Sequence, residues 1–249
     1  MKIQLIRNAT AKIEYGSKTF LTDPVFSKKN SLPSFAGLEK NPLVDLPMSV
    51  QEIMEDIDGV IISHDHPDHF DSAAASDLPG DIPVFCQPGD TEVIQRQGFV
   101  NVLPVETSRD WQELTLNRVS GRHGQGRMGD MMGPVSGFVF RSESEPTVYW
   151  VGDSILCSEV KKNLEDYRPD IIITHSGGAA FPGQEPIIMD GQQTLDTLRA
   201  APEAYLVAIH MEALDHCWLQ RQALRDLIET SEISSSRLMI PEDGEIISF

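Results

Sequence analysis

The chain has 249 residues, 40% of them hydrophobic, which suits one large α/β domain with a sizeable buried core. Thirty-eight acidic residues against twenty basic ones give a net charge of -18, so a polyanionic partner such as nucleic acid is not expected. The three cysteines are far apart, and no apolar stretch approaches the roughly twenty residues that span a bilayer. We therefore expect a single domain over residues 1–249 in the cytoplasm, without a disulfide framework and not in a membrane.

The first part of the chain predicts antiparallel strands followed by a long loop. Residues 3–6, 11–15 and 19–22 are predicted to form three short strands that end at Asp23. Residues 25–47 lack periodicity but carry scattered apolar side chains. A loop of this length in a compact domain is usually functional, so we expect a packed flap over a substrate pocket, with Phe35 as an apolar contact. A plain crossing loop, or a contact between subunits of a homo-oligomer, is the alternative.

The central stretch of the chain is an apolar run at residues 60–62 that breaks into three histidines and three aspartates between residues 64 and 71. The β-branched run predicts a strand buried on both faces. His64 and His66 are two residues apart in extended chain, so both rings can converge on one cation. Asp68 and His69 follow a proline and could bind a second cation; neutral imidazole and carboxylate suit zinc, iron or manganese. A polar surface turn is the alternative, and four potential ligands after a buried strand count against it.

Strands and helices alternate through the rest of the chain. Further strands are predicted at residues 83–86, 100–102, 111–119, 136–141, 147–151, 170–175 and 204–209, and helices at 49–56, 91–97, 155–167, 192–200 and around Arg221 and Arg225. Ser49 and Glu52 form a capping-box pattern, and Asp71 and Asp190 are predicted helix caps. Residues 125–134, rich in glycine and methionine, are expected to form a flexible rim of the pocket.

Four predicted strands of the second half end in a residue that could bind a metal or a substrate. His123 follows one strand and has a glycine directly after it, which lets the backbone approach a ligand closely. Asp153 follows another strand and a glycine, and could bridge two cations or cap the next helix. His175 and His210 each end a β-branched or apolar strand.

The segment Ser-His-Asp-His-Pro-Asp-His at residues 63–69 resembles the His-x-His-x-Asp-His signature of the metallo-β-lactamase fold superfamily. The matching order extends from Leu-Thr-Asp-Pro at residues 21–24 to His210, which is nearly the whole chain. Within the superfamily, residues 22–26, 121–124 and 152–154 are most similar to the branch of small cytoplasmic hydrolases related to ascorbate-phosphate lactonase. The resemblance implies an α/β fold, a four-layer αββα sandwich with the metals at the edge where the sheets meet.

The resemblance also implies a centre of two divalent metal ions, with zinc expected and manganese or iron as alternatives. One cation would be held by His64, His66 and His123, the other by Asp68, His69 and His210, with Asp153 shared. In the family, the aspartate at position 23 usually lies just behind the ligands, although Asp23 also suits a strand-terminating turn. Members mostly carry no ligand at position 175, so we interpret His175 as a substrate contact or proton donor, with an ordinary strand-end histidine as the alternative.

The expected function is hydrolysis of a small-molecule ester, lactone or phosphoester. A water between two cations loses its proton near neutral pH, and Asp68 would orient the resulting hydroxide. Asp68 and His175 are therefore the expected catalytic residues. A phosphodiesterase or nuclease of the same fold would use the same ligands, a di-iron oxidoreductase would typically have glutamate at position 66, and a non-catalytic metal-binding module is the third alternative. Glu212 and His216 could line the pocket or hold His210.

Overall fold

Two seven-stranded sheets form the centre of this computed structural model, which describes residues 1–249. The first sheet contains β1 (Lys2–Arg7), β2 (Thr10–Tyr15), β3 (Lys18–Thr22), β4 (Gly59–Ile62), β5 (Val84–Cys86), β6 (Val102–Pro104) and β14 (Ile246–Ser248). The second contains β7 (Ser108–Trp111), β8 (Leu114–Ser120), β9 (Ser136–Arg141), β10 (Val148–Trp150), β11 (Ile171–His175), β12 (Tyr205–Ile209) and β13 (Leu238–Met239). Their spatial orders are β14-β1-β2-β3-β4-β5-β6 and β13-β12-β11-β10-β9-β8-β7.

Seven helices accompany the sheets. They are α1 (Val50–Met54), α2 (Ser72–Asp77), α3 (Thr91–Arg96), α4 (Gly126–Met132), α5 (Ser158–Tyr167), α6 (Gly191–Ala200) and α7 (Arg221–Glu229). An apolar cluster between the sheets joins residues of both, including Phe20 and Trp150. A second cluster lies between the first sheet and helices α1 to α3, and a third between the second sheet and helices α5 to α7. The predicted four-layer αββα sandwich is thus confirmed.

The topology brings the predicted site residues to one edge. Strands β3 to β6 are parallel neighbours in the first sheet, and β10 to β13 are parallel neighbours in the second. The histidine-rich loop follows β4, Asp153 follows β10, His175 ends β11 and His210 follows β12. Because ligands bind beyond the carboxyl ends of parallel strands, this edge is where a site is expected.

The predicted helix caps are present. Ser49 and Glu52 form the capping box of α1, and the carboxylates of Asp71 and Asp190 accept the backbone N–H groups of Ala74 and Gln193. Arg221 and Arg225 are ion-paired, with Asp243 and Glu242 among their partners. The three cysteines are buried and unpaired. No helix has the length and apolar character that crossing a bilayer would require.

Several predicted elements were wrong in extent. The antiparallel strands predicted over 111–119 are the hairpin of β7 and β8, which begins at Ser108 and turns at Gln112, whose φ is 55°. The strand predicted at 100–102 is β6 at 102–104, and Val100 is 81% exposed. Residues 126–132 form helix α4 instead of a flexible rim, because Met128 and Met132, four residues apart, pack together against an apolar cluster.

Two further differences concern the ends of elements. Helix α5 begins at Ser158 with Cys157 as its cap, so Asp153 does not cap it. Strands β13 and β14 were not predicted. They contain only two and three residues and lie at the sheet edges, where β14 pairs with β1.

Candidate metal centre

Two groups of metal-binding side chains meet at the carboxyl ends of the parallel strands. One group consists of His64, His66 and His123, and the other of His69, Asp153, His175 and His210. Within each group the ligand atoms lie within 4.8 Å of one another. Six of these seven side chains are buried and His66 is half-buried. Six of the seven sequence-predicted ligands therefore lie in these groups, Asp68 belongs to neither, and His175 is an additional member.

In the first group, hydrogen bonds orient the imidazole rings. The Nδ1–H of His64 donates to Ser63 Oγ at 2.9 Å, and the Nδ1–H of His123 donates to the carbonyl of Ile187 at 2.9 Å. Both rings then direct the unprotonated Nε2 into the group. His66 Nδ1 lies 2.9 Å from His64 Nε2. Burial lowers the pKa values of His64 and His66, which favours the neutral imidazole that binds metals.

In the second group, His69 lies among carboxylates. Its Nδ1–H donates to Asp23 Oδ2 at 2.6 Å, and its Nε2 lies 3.1 Å from Asp153 Oδ2. Burial would lower the pKa of His69, but the negative charges of Asp153, Asp68 and Asp23 outweigh burial and raise that pKa well above its ordinary value. Burial lowers the pKa of His210 to about 3. His210 is therefore a neutral donor, and the negative charge that surrounds His69 favours binding of a cation in place of its proton.

Asp153 lies between the two groups. Its Oδ2 is 3.1 Å from His69 Nε2 and 3.4 Å from His123 Nε2, so one oxygen faces a member of each group. Gly152 places it there: a Cβ at this residue would come 2.7 Å from the carbonyl oxygen of Ser136, and its φ of 70° also favours glycine. A carboxylate in this place could be shared by two cations.

Asp68 stands beside the second group. Its Oδ2 lies 3.7 Å from His69 Nε2, 3.8 Å from His210 Nε2 and 3.9 Å from His216 Nε2. Burial would raise its pKa, but the three imidazoles outweigh burial and lower it, so the carboxylate is ionised. Asp68 can therefore act as an anionic ligand or hydrogen-bond acceptor there.

His175 does not lie where a substrate contact was expected. Its ring is fully buried, its Nδ1–H donates to Asp153 Oδ1 at 2.5 Å, and its Nε2 accepts the indole N–H of Trp150 at 3.0 Å. Both ring nitrogens are thus engaged with the protein. The geometry corrects the expected contact with a leaving group, because no polar atom of His175 is left for a substrate.

Asp23 lies behind the ligands instead of only ending a strand. Its carboxylate is fully buried and accepts hydrogen bonds from the backbone N–H and the hydroxyl of Ser63, both at 2.7 Å, as well as from His69. Because Ser63 in turn accepts from His64, one carboxylate orients a ligand of each group. Such hydrogen bonds fix the tautomer and raise the basicity of metal-binding histidines.

Sequence reasoning missed several supporting groups. Ser63, Trp150 and the Ile187 carbonyl each bond a site histidine, yet none carries a sequence signal beyond its strand or loop. Glu212 pairs with Arg221 at 2.5 Å and does not join the ligands. Arg122 is paired with Glu159, also at 2.5 Å. Burial lowers the pKa of His216.

The donor set fits first-row divalent cations. The first group offers three imidazoles, two of which have Nδ1 hydrogen-bonded so that Nε2 is available, and the second offers imidazole and carboxylate. Nitrogen and oxygen donors of this kind suit zinc, and also iron and manganese. No thiolate belongs to either group.

The substitution Asp23→Asn tests this arrangement. Every contact of the carboxylate is with a hydrogen-bond donor, so the amide nitrogen of asparagine must face a donor and His69 must reorient. We expect metal affinity, measured by chelator competition, to fall about 10- to 100-fold. The exposed Asp65 in the same loop provides the control Asp65→Asn, and equal affinities of the two variants would contradict this role of Asp23.

Comparison with known proteins places this centre in a family. The family model described as Beta-lactamase superfamily domain matches residues 18–211. The UPF0173 protein YddR of Bacillus subtilis (strain 168) is 33% identical over an alignment of 255 residues that covers 100% of both chains. The family assignment therefore rests on most of the chain and includes the histidine-rich loop.

Two solved structures are similar over the whole chain. A possible metal-dependent hydrolase from Veillonella parvula DSM 2008 has a TM-score of 0.97 and 33% identity, with 100% of this chain and 99% of that chain covered. An isothiocyanate hydrolase from Delia radicum gut bacteria has a TM-score of 0.95 and 34% identity, with the same coverage of 100% and 99%. The chain belongs to the beta-lactamase superfamily and is a metal-dependent hydrolase with the metallo-β-lactamase fold.

Proposed function

We propose that this protein is a binuclear hydrolase of small molecules. The observation that carries the proposal is the position of Asp153, whose carboxylate lies between two separate groups of ligand atoms. His64, His66 and His123 would hold one cation, and Asp68, His69 and His210 the other. Two such cations, when bound, would supply an activated water nucleophile and polarise the bond that it attacks.

The chain's own residues then have distinct tasks in this proposal. Asp68 accepts a hydrogen bond from the attacking water and orients it, because its Oδ2 faces His69 and His210 of the second group. His175, held by Trp150, keeps Asp153 Oδ1 in place, so it acts through Asp153 and is a positioning residue. Preorganised groups of this kind avoid reorganisation during the reaction.

The surroundings favour a small substrate with an apolar part. Phe35, Met128, Met132 and Phe181 pack around one apolar cluster beside the site. Arg122 is already paired with Glu159 and is not a free anchor for a phosphate. We therefore propose an ester, a lactone or a phosphoester of low charge, and the lactonase-like subfamily stays a prediction. Long nucleic acids are disfavoured by the net charge of -18.

A second candidate substrate class is the isothiocyanates. It is favoured by the 34% identity, over the whole chain, to the isothiocyanate hydrolase, and it suits an apolar pocket because isothiocyanates are small and uncharged. Water would add its oxygen to the central carbon of the N=C=S group and a proton to nitrogen. Cleavage of the carbon–nitrogen bond, with the remaining proton moving to nitrogen, would release an amine and carbonyl sulfide.

Metal analysis tests the binuclear centre. We expect close to two zinc, manganese or iron ions per chain after reconstitution, since two groups of ligand atoms are present. The variant His66→Ala should lose about one ion, because the first group keeps only two imidazoles. Elemental analysis of both proteins measures the metal content directly. A single ion in the wild type would contradict the proposed centre, in which two cations share one carboxylate.

A substrate panel tests the chemistry. Esters, lactones, phosphoesters and isothiocyanates would be offered to the metal-loaded protein, and Asp68→Asn would be measured beside it. We expect turnover of one small-molecule class and a loss of at least about 100-fold in Asp68→Asn, because a neutral amide binds metal poorly and does not orient the water. Hydrolysis of polymeric nucleic acid alone would contradict the proposal, as would normal turnover of Asp68→Asn.

The role of His175 has its own test. In His175→Ala the Oδ1 of Asp153 loses its donor, so we expect both metal affinity and turnover to fall, the affinity by about 10- to 100-fold. Trp150→Phe removes only the bond to His175 and should give a smaller loss in the same direction. If turnover fell while chelator competition gave the wild-type affinity, His175 would act on the substrate after all.

A further inference from the structure

His216 differs from the other histidines of this chain. The protein has seven, and each of the other six has a ring nitrogen within hydrogen-bond distance of a partner. His216 Nδ1 is buried without any partner, and His216 Nε2 is 3.9 Å from Asp68 Oδ2, too far for a hydrogen bond. The residue is only 6% exposed.

An unpaired polar ring in this place needs an explanation. A buried polar group without a partner destabilises the folded protein, and such groups in native structures often have a catalytic or ligand-binding role. His216 lies next to the ligands: its ring centre is 6.5 Å from that of His210. The distance of 3.9 Å to Asp68 leaves both side chains free to bond a third group. The nitrogen that a molecule bound in the site would meet is Nε2, which faces Asp68, because Nδ1 is fully buried.

The neighbouring loop holds the ring in place. The carboxylate of Asp215 accepts backbone N–H groups from residues 35, 36, 38 and 39 and the hydroxyl of Ser34, so it fixes this part of the loop beside His216. The ring of Phe35 then meets His216 edge to face, with the centres 5.3 Å apart. Phe35 also packs on the apolar cluster that includes Met128 and Met132. His216 thus lies at the border between the metal ligands and the apolar wall.

We propose that His216 contacts the substrate directly, donating a hydrogen bond to the heteroatom that gains negative charge when water attacks. The apolar part of the substrate lies against Phe35, which selects small substrates with one apolar substituent. This inference rests on the proposed function, because it assigns a further catalytic residue to the same site. A donor aimed at developing charge stabilises the transition state more than the bound substrate.

The variants His216→Phe and His216→Gln test the assignment on the metal-loaded protein. Phenylalanine keeps the packing on Phe35 and removes both nitrogens, so we expect kcat on the best panel substrate to fall about 100-fold with little change in KM. Glutamine, which can still donate, should recover part of that loss. Metal content should stay at the wild-type value. The melting temperature of His216→Phe should be equal or higher, because an unpaired buried nitrogen is removed.

Trp218→Phe is the matched control, since Trp218 is two residues along and 52% exposed. We expect wild-type turnover from it. Loss of a metal ion in His216→Phe would show that His216 is a metal ligand, and a lower melting temperature would show that its role is structural. Either result overturns the inference. Unchanged turnover in His216→Phe would overturn it while the proposed function stands. A wild type that hydrolyses no panel substrate would contradict the proposed function, and metal content and melting temperature would still test His216.

Discussion

The buried carboxylate of Asp23 is the interaction on which the site depends. It ends the antiparallel part of the first sheet, and it accepts hydrogen bonds from Ser63 and His69, which belong to the loop after the neighbouring strand. Through Ser63 it also orients His64. Asp23 therefore orients a member of each ligand group, His69 directly and His64 through Ser63. The second sheet then adds Asp153 and His210 at the same edge.

The backbone beside the candidate site adopts unfavourable conformations, which the rest of the fold stabilises. Asp23, His210 and Glu212 have positive φ angles of 38°, 63° and 63°, which non-glycine residues rarely adopt. They occur at the strand ends that deliver the ligands or directly after them. Three apolar clusters hold the strands on both faces, and the pairing of Glu212 with Arg221 holds the turn after His210. Rigid layers thus support these three positive-φ residues beside the candidate site.

Much of this centre could be predicted from sequence because each ligand follows a buried strand. A β-branched run that ends in histidine or aspartate is a local signal, and parallel strands carry such residues to one edge. The role of His175 could not be predicted in this way. It depends on Trp150, which pairs across to the neighbouring strand β11 and has the sequence pattern of an ordinary core residue. Helix α4 was missed for a related reason, since its methionines are ordered by an apolar cluster built from distant segments.

The turn at residues 211–217 contributes to several parts of the candidate site. It follows the ligand His210, it contains the Asp215 carboxylate that fixes the loop around Phe35, and it carries the unpaired ring of His216. A change in this turn would move the substrate wall and the metal ligand at the same time. In the proposed function, specificity and metal position would therefore be coupled. In the proposed function, a change of substrate preference that leaves the metals in place would come from Phe35, Met128 and Met132, which pack on the apolar cluster and belong to neither ligand group.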